Sequence, residues 1–168
     1  MERSGAVTFK GNPMTLLGPE LNVGDPAPPF QVVNGALEPF TLEDLKGQAT
    51  LISVVPSLDT PVCETQTKHF NEEAAGLGLR VLTISVDLPF AQKRFCTAHN
   101  VEGVQCLSDY QARSFGEAWG LLIKELALLA RSVFIVDADG TIAYKELVKE
   151  IAEQPDYDAA LAAAGKLA

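Results

Sequence analysis

The sequence predicts an α/β fold, a central mixed β-sheet flanked by helices with an added β-hairpin at the N-terminus. Three observations point there. Residues 49–55, A-T-L-I-S-V-V, are almost continuously apolar, as a strand buried on both faces should be. Further apolar runs at 80–86 and 104–107 alternate with stretches of helical periodicity. Asp139-Gly140, set between β-rich runs at 132–136 and 141–147, is a strong hairpin signal. A β-α-β-α-β-α series followed by a hairpin and a closing helix gives parallel strands with antiparallel additions, and helices on both faces.

The elements follow in chain order. Residues 7–17 place the turn formers Gly11, Asn12 and Pro13 between two strand-like pieces, so a hairpin extension is expected within 1–20. Pro26, Pro28 and Pro29 make 23–30 an extended connector. A second short β pair is expected at 31–33 and 39–42. After the central strand, Cys63, Phe70, Ala74 and Leu77 share one face of a helix over 63–77. A strand follows at 80–86. The next helix, 89–99, has Pro89 in its first turn and Ala91, Phe95 and Ala98 on one face. A short strand at 104–107, a helix over 114–122 and the Asp139-Gly140 hairpin come next. An alanine-rich helix over 156–167 closes the chain after Pro155.

Composition narrows the function. A chain of 168 residues that is 47% hydrophobic suits a single domain spanning 1–168. Its net charge of -9 argues against nucleic acid as a partner. No apolar run approaches the ~20 residues that cross a bilayer, so no membrane partner is expected. The N-terminal residues lack a stretch of signal-peptide length, which leads to an expectation of a cytoplasmic protein. Cys63, Cys96 and Cys106 are too few for a disulfide scaffold, and none forms a C-x-x-C. With His69 and His99 the only histidines, a Cys/His metal site is not expected.

The stretch P-S-L-D-T-P-V-C-E-T-Q-T-K-H-F, residues 56–70, carries the chemistry. Thr60 suits a helix cap and Pro61 the first helical position, so Cys63 falls in the first turn. Free backbone N–H groups and the helix dipole favour an anion there, and the thiolate is the nucleophilic form of cysteine. The Thr60 hydroxyl could donate to the sulfur or to an incoming oxygen, and Pro56 could wall the pocket. The same spacing also fits a small buried filler, and the residues alone leave those two readings level.

P-S-L-D-T-P-V-C matches P-x-x-x-T-x-x-C, and so resembles the peroxiredoxin family. V-G-D-P-A-P-P-F, R-F-C at 94–96, L-L-A-R-S-V-F-I-V-D at 128–137, E-L-V-K-E-I and P-D-Y-D-A-A-L extend the resemblance over nearly the whole chain. They point to its atypical two-cysteine branch, the thiol peroxidases (Tpx). The resemblance implies a thioredoxin-like fold of bacterial origin, reduction of hydrogen peroxide and alkyl hydroperoxides, no cofactor, thioredoxin as reductant, and a homodimer. It implies that Cys63 is the peroxidatic nucleophile, Thr60 its hydrogen-bonding partner, Pro56 the pocket wall and Arg131 a cation that stabilises the thiolate and polarises the peroxide. It further implies that Cys96 resolves the resulting sulfenic acid as an intramolecular disulfide. A disulfide needs Cα atoms within about 7 Å, so the first turn around Cys63, with or without the helix of Cys96, is expected to unwind before that bond forms.

The remaining residues receive plainer expectations. Cys106 reads as a buried structural thiol, although it offers Cys63 a second possible partner. His69 lies six positions after Cys63, 240° around the helix, so it is poorly placed as a base, and both histidines should be near the surface. Where the family more often carries tyrosine and glycine, this chain has Trp119 and Ala127. The F-G-E-A-W-G-L-L segment is expected to present an apolar patch to a second copy. Three other functions stay open: a thiol hydrolase or acyltransferase with a histidine base, a non-catalytic redox sensor, and a binding module with inert cysteines.

Overall fold

The computed structural model describes residues 1–167. Its main sheet has seven strands in the order β10-β9-β5-β6-β7-β3-β4. These are β3 (Gln31–Val33), β4 (Pro39–Thr41), β5 (Thr50–Val54), β6 (Arg80–Ser85), β7 (Gln105–Ser108), β9 (Ser132–Val136) and β10 (Ile142–Leu147). The crossovers make β5, β6 and β7 parallel, while β9, β10, β3 and β4 join antiparallel. The expected mixed sheet is present, with β5 inside it and all five of its residues buried.

That burial follows from apolar layers on both faces. Leu51, Val81, Val133 and Ile135 face helices α1 (Pro61–Glu73), α2 (Pro89–Ala98) and α4 (Tyr157–Gly165) through Phe70, Phe95, Ala160 and Ala164. Ile52, Val54, Leu82, Ile84 and Phe134 face the other way, toward Phe30, Leu45 and the short helix α3 (Ser114–Ala118) with Phe115 and Trp119. A strand covered on both sides has no polar alternation to display. The connector 23–30 carries no helix and only an isolated bridge, Pro26 to Thr141.

The N-terminal hairpin, β1 (Glu2–Phe9) and β2 (Asn12–Leu17), turns at Lys10-Gly11; Asn12 and Pro13 belong to β2 rather than to the turn. Its apolar face is fastened to the body by Val7 and Leu16 against Ile123, Ala130 and Ile151. Backbone bonds from Thr8 N to Lys149 O (2.7 Å) and from Ile151 N to Thr8 O (2.9 Å) join it to the loop after β10.

Three expectations change. The helix expected over 114–122 ends at Ala118, because Leu122 and Ile123 form strand β8, which pairs with Leu17 and Leu16 of β2. Long-range pairing overrides the local helical pattern there. The face expected on α2 is wrong at two of three positions: Ala91 and Ala98 are exposed, and Gln92 is buried beside Phe95, its amide donating to Ser85 Oγ and Leu107 O. Trp119 offers no patch. It is 1% exposed, its ring packs on Phe30, Phe115 and Phe134, and its Nε1 donates to Pro28 O. The exposed large apolar side chains include Leu88 and Phe90 at the start of α2. Ala127 sits at φ +55°, a left-handed conformation that glycine adopts without strain. No helix among the described residues is long and apolar enough to cross a membrane.

Candidate active site

The carboxyl end of β5 leads through Val55 and Pro56 into the start of α1. The intervening loop is pinned by one carboxylate. Asp87 accepts from Ser57 Oγ and Leu58 N, both at 2.8 Å, and from Ser85 Oγ at 2.7 Å. Thr60 caps α1 as its sequence predicts: its Oγ1 accepts from Cys63 N at 3.3 Å. The same hydroxyl donates to Ser57 O at 3.2 Å, so of the two expected acceptors, the sulfur and an incoming oxygen, the sulfur is not its partner here. A cap that must accept from Cys63 N presents its lone pair, not its hydrogen, toward the helix.

Cys63 is fully buried in the first turn, and Arg131 Nη2 donates to its Sγ at 3.3 Å. Arg131 precedes β9, whose register opposite β5 sets Ser132 against Val54 and so delivers the guanidinium to the start of α1. Arg131 is itself 2% exposed. Its Nε donates to Ile151 O at 2.7 Å and its Nη1 to Gln66 Oε1 at 3.0 Å. Gln66 in turn donates through Nε2 to Ser53 Oγ at 2.8 Å. Gln66 and the Ile151 carbonyl were not anticipated. A polar residue three positions after Cys63, on the inward face of the helix, was the available signal. No carboxylate pairs with Arg131 among the described residues.

Beside this cluster lies a cavity of about 380 Å³ lined by Pro56, Thr60 and Arg131, by Phe9 and Lys10 of the hairpin, and by apolar Val62, Leu126, Leu128 and Ile151. Pro56, Thr60 and Arg131 therefore share one pocket, next to Cys63. The hairpin forms part of its wall.

Cys96 lies elsewhere. It and Cys106 carry unbonded sulfurs 3.0 Å apart, Cys96 on α2 and Cys106 on β7. Their hydrogen bond holds the Cys96 thiol below its ordinary range, against burial, and pushes Cys106 up, with burial adding to the rise. Cys106 is partly buried, as expected, but it is paired with Cys96 and is not an isolated structural filler. The histidines are occupied as well: His69 stacks on Tyr157 at 3.9 Å between ring centres, and His99 Nδ1 lies 3.5 Å from Glu64 Oε1. Both are partly buried, and neither hydrogen-bonds Cys63 Sγ. A cysteine hydrolase with a histidine base finds no support in this geometry.

The chain as a whole is similar to known proteins. The Redoxin family model matches residues 22–161. The thiol peroxidase of Halalkalibacterium halodurans is 56% identical over 160 residues, covering 95% of this chain and 96% of that protein. The thiol peroxidase of Bacillus subtilis is 54% identical over 162 residues, covering 96% and 97%. Among solved structures, a peroxiredoxin-like protein from Aquifex aeolicus superposes with a TM-score of 0.91 at 48% identity, covering 99% of this chain and 98% of that one. A thiol peroxidase from Chromobacterium violaceum, 22% identical with a TM-score of 0.80 over 91% of each chain, shares the fold.

Proposed function

Because the chain belongs to the Redoxin family, with thiol peroxidases more than half identical to it along nearly its whole length, we propose that it is a thiol-dependent peroxidase in which Cys63 reduces hydroperoxides. One observation carries the assignment of Cys63. A buried guanidinium with no carboxylate partner among the described residues donates to its sulfur at the start of a helix. An unpaired charge out of water is costly, and a thiolate at Cys63 is the anion that offsets it.

The peroxide enters the cavity beside Pro56 and Thr60. Cys63 Sγ attacks its terminal oxygen, the O–O bond breaks, and hydroxide or alkoxide leaves to take up a proton. Arg131 and the N–H groups at the start of α1 hold the oxygens as charge passes between them. Thr60 orders that turn and borders the peroxide, and Pro56 limits water. The apolar lining from Leu126, Leu128 and Ile151 supports alkyl hydroperoxides as substrates alongside hydrogen peroxide. The product is a Cys63 sulfenic acid. Cys96 condenses with it, expelling water and leaving a disulfide that thioredoxin reduces.

Cys63 is fully buried and Cys96 contacts Cys106, so the start of α1 opens before this bond forms. The chain acts in the cytoplasm as a homodimer, for which exposed Leu88 and Phe90 supply apolar surface. The test is peroxide-dependent oxidation of thioredoxin. Wild-type protein should sustain it and Cys63→Ser, still folded by circular dichroism, should not. Sustained turnover by Cys63→Ser would remove Cys63 from its role.

A further inference from the structure

Three thiols are present where the proposed cycle uses two, and the third touches the second. Cys96 Sγ and Cys106 Sγ are 3.0 Å apart, about 1 Å beyond a disulfide's ~2.05 Å bond, with α2 and β7 both intact. Cys63 Sγ, by contrast, is enclosed against Arg131. Joining Cys96 to Cys106 asks for a small side-chain movement; joining Cys63 to Cys96 asks a helix start to open. The Cys96–Cys106 pair also lines an open groove of about 420 Å³, bordered by Asn34, Gly35, Pro89 and Lys93, which shares no residue with the cavity beside Cys63.

We propose that Cys106 takes over the disulfide first formed between Cys63 and Cys96, so that the oxidised protein presents a Cys96–Cys106 bond in this groove to a thiol reductant. The proposal rests on the reading of Cys63 as peroxidatic and Cys96 as resolving. The step is a thiol–disulfide exchange with no net oxidation. Cys106 thiolate attacks Cys96 Sγ, the Cys96–Cys106 bond forms, the Cys63–Cys96 bond breaks, and Cys63 leaves as a thiolate that returns to Arg131. The Cys106 proton passes to water in the groove. In the reduced pair that proton is held by the hydrogen bond to Cys96, by burial, and by the charges of Cys96 and Asp87. Once Cys96 is bonded to Cys63 it carries no charge, so its two contributions end while burial and Asp87 remain, and Cys106 gives up its proton more readily than in the reduced pair. Release of Cys63 lets the start of α1 close again, which favours the exchange.

The experiment treats reduced protein with one equivalent of hydrogen peroxide, quenches with acid and an alkylating agent at successive times, and maps disulfide-linked peptides. Wild type should pass through Cys63–Cys96 and end as Cys96–Cys106, with loss of Cys106 alkylation and recovery of Cys63 alkylation. Cys106→Ser and Cys106→Val, the second keeping the site apolar, should stop at Cys63–Cys96. Cys63→Ser should form no Cys96–Cys106 bond in the same time. A wild-type end point of Cys63–Cys96 with Cys106 fully alkylated overturns the relay while leaving the peroxidase reading intact. Formation of Cys96–Cys106 in Cys63→Ser at the wild-type rate also overturns it, since the pair would then oxidise unaided. No consumption of the Cys63 thiol in wild type overturns the peroxidase reading, and the relay with it.

Discussion

Arg131 Nη2 donates to Cys63 Sγ at 3.3 Å across 68 positions of sequence. If this contact holds the reacting sulfur and the peroxide oxygens, Arg131→Ala should lower the rate constant for Cys63 sulfenic acid formation by about 10²–10³, the scale of losing one preorganised donor. Arg131→Lys should recover only part of this, because an ammonium cannot reproduce the planar fork that reaches Ile151 O, Gln66 Oε1 and Cys63 Sγ together. Quenched-flow peroxide consumption checks both. A wild-type rate in Arg131→Ala would exclude the guanidinium from the reaction.

Gln66 touches neither the sulfur nor the proposed substrate cavity, yet it aims Arg131. Gln66→Leu removes the acceptor at 3.0 Å from Nη1 and the donor to Ser53. The rate of sulfenic acid formation per folded molecule should fall about tenfold, and stability should drop by ~1–3 kcal/mol from the orphaned buried groups. A loss of stability with an unchanged rate would make Gln66 purely structural.

Cys96→Ser should reduce one equivalent of peroxide and then stall with Cys63 as sulfenic acid, passing to sulfinic acid in excess peroxide. A dimedone adduct on Cys63, identified by mass, is the expected signature. An internal disulfide formed at the wild-type rate in this variant would instead assign resolution to Cys106.

Asp109 sets a pH dependence of stability unconnected with the thiols. Burial pushes its carboxyl up to about 6, although Gly116 N and Phe115 N donate to it and hold the first turn of α3. Because the folded-state value lies above the ordinary 3.8, the proton binds more tightly to the folded chain. The stability it contributes is present below about pH 4 and is lost as pH rises through about 6. Ionisation should remove on the order of 2–3 kcal/mol by pH 7. Asp109→Asn should flatten that part of the pH profile in urea denaturation while lowering stability at acid pH, since Phe115 N and Gly116 N each donate to a different carboxyl oxygen and the amide NH2 cannot accept from the N–H it would face. An identical profile in the variant would clear Asp109.

What the sequence could determine was whatever neighbours along the chain settle among themselves. The Thr60 cap, Pro61 and the first-turn Cys63 were legible because a helix start satisfies its N–H groups within three or four residues. Strands β5, β6 and β9 showed as apolar runs because both sheet faces are covered, and Asp139-Gly140 marked its hairpin by backbone preference alone. The tertiary structure decided which distant groups meet. The β5–β9 register sets Ser132 against Val54 and brings Arg131 to Cys63; the β6–β7 register sets Cys106 against Thr83, where α2 lays Cys96 on it; and β2 draws Leu122 and Ile123 out of a helix. Such meetings depend on strand register and helix packing summed over the whole core, and no single stretch of sequence carries that sum.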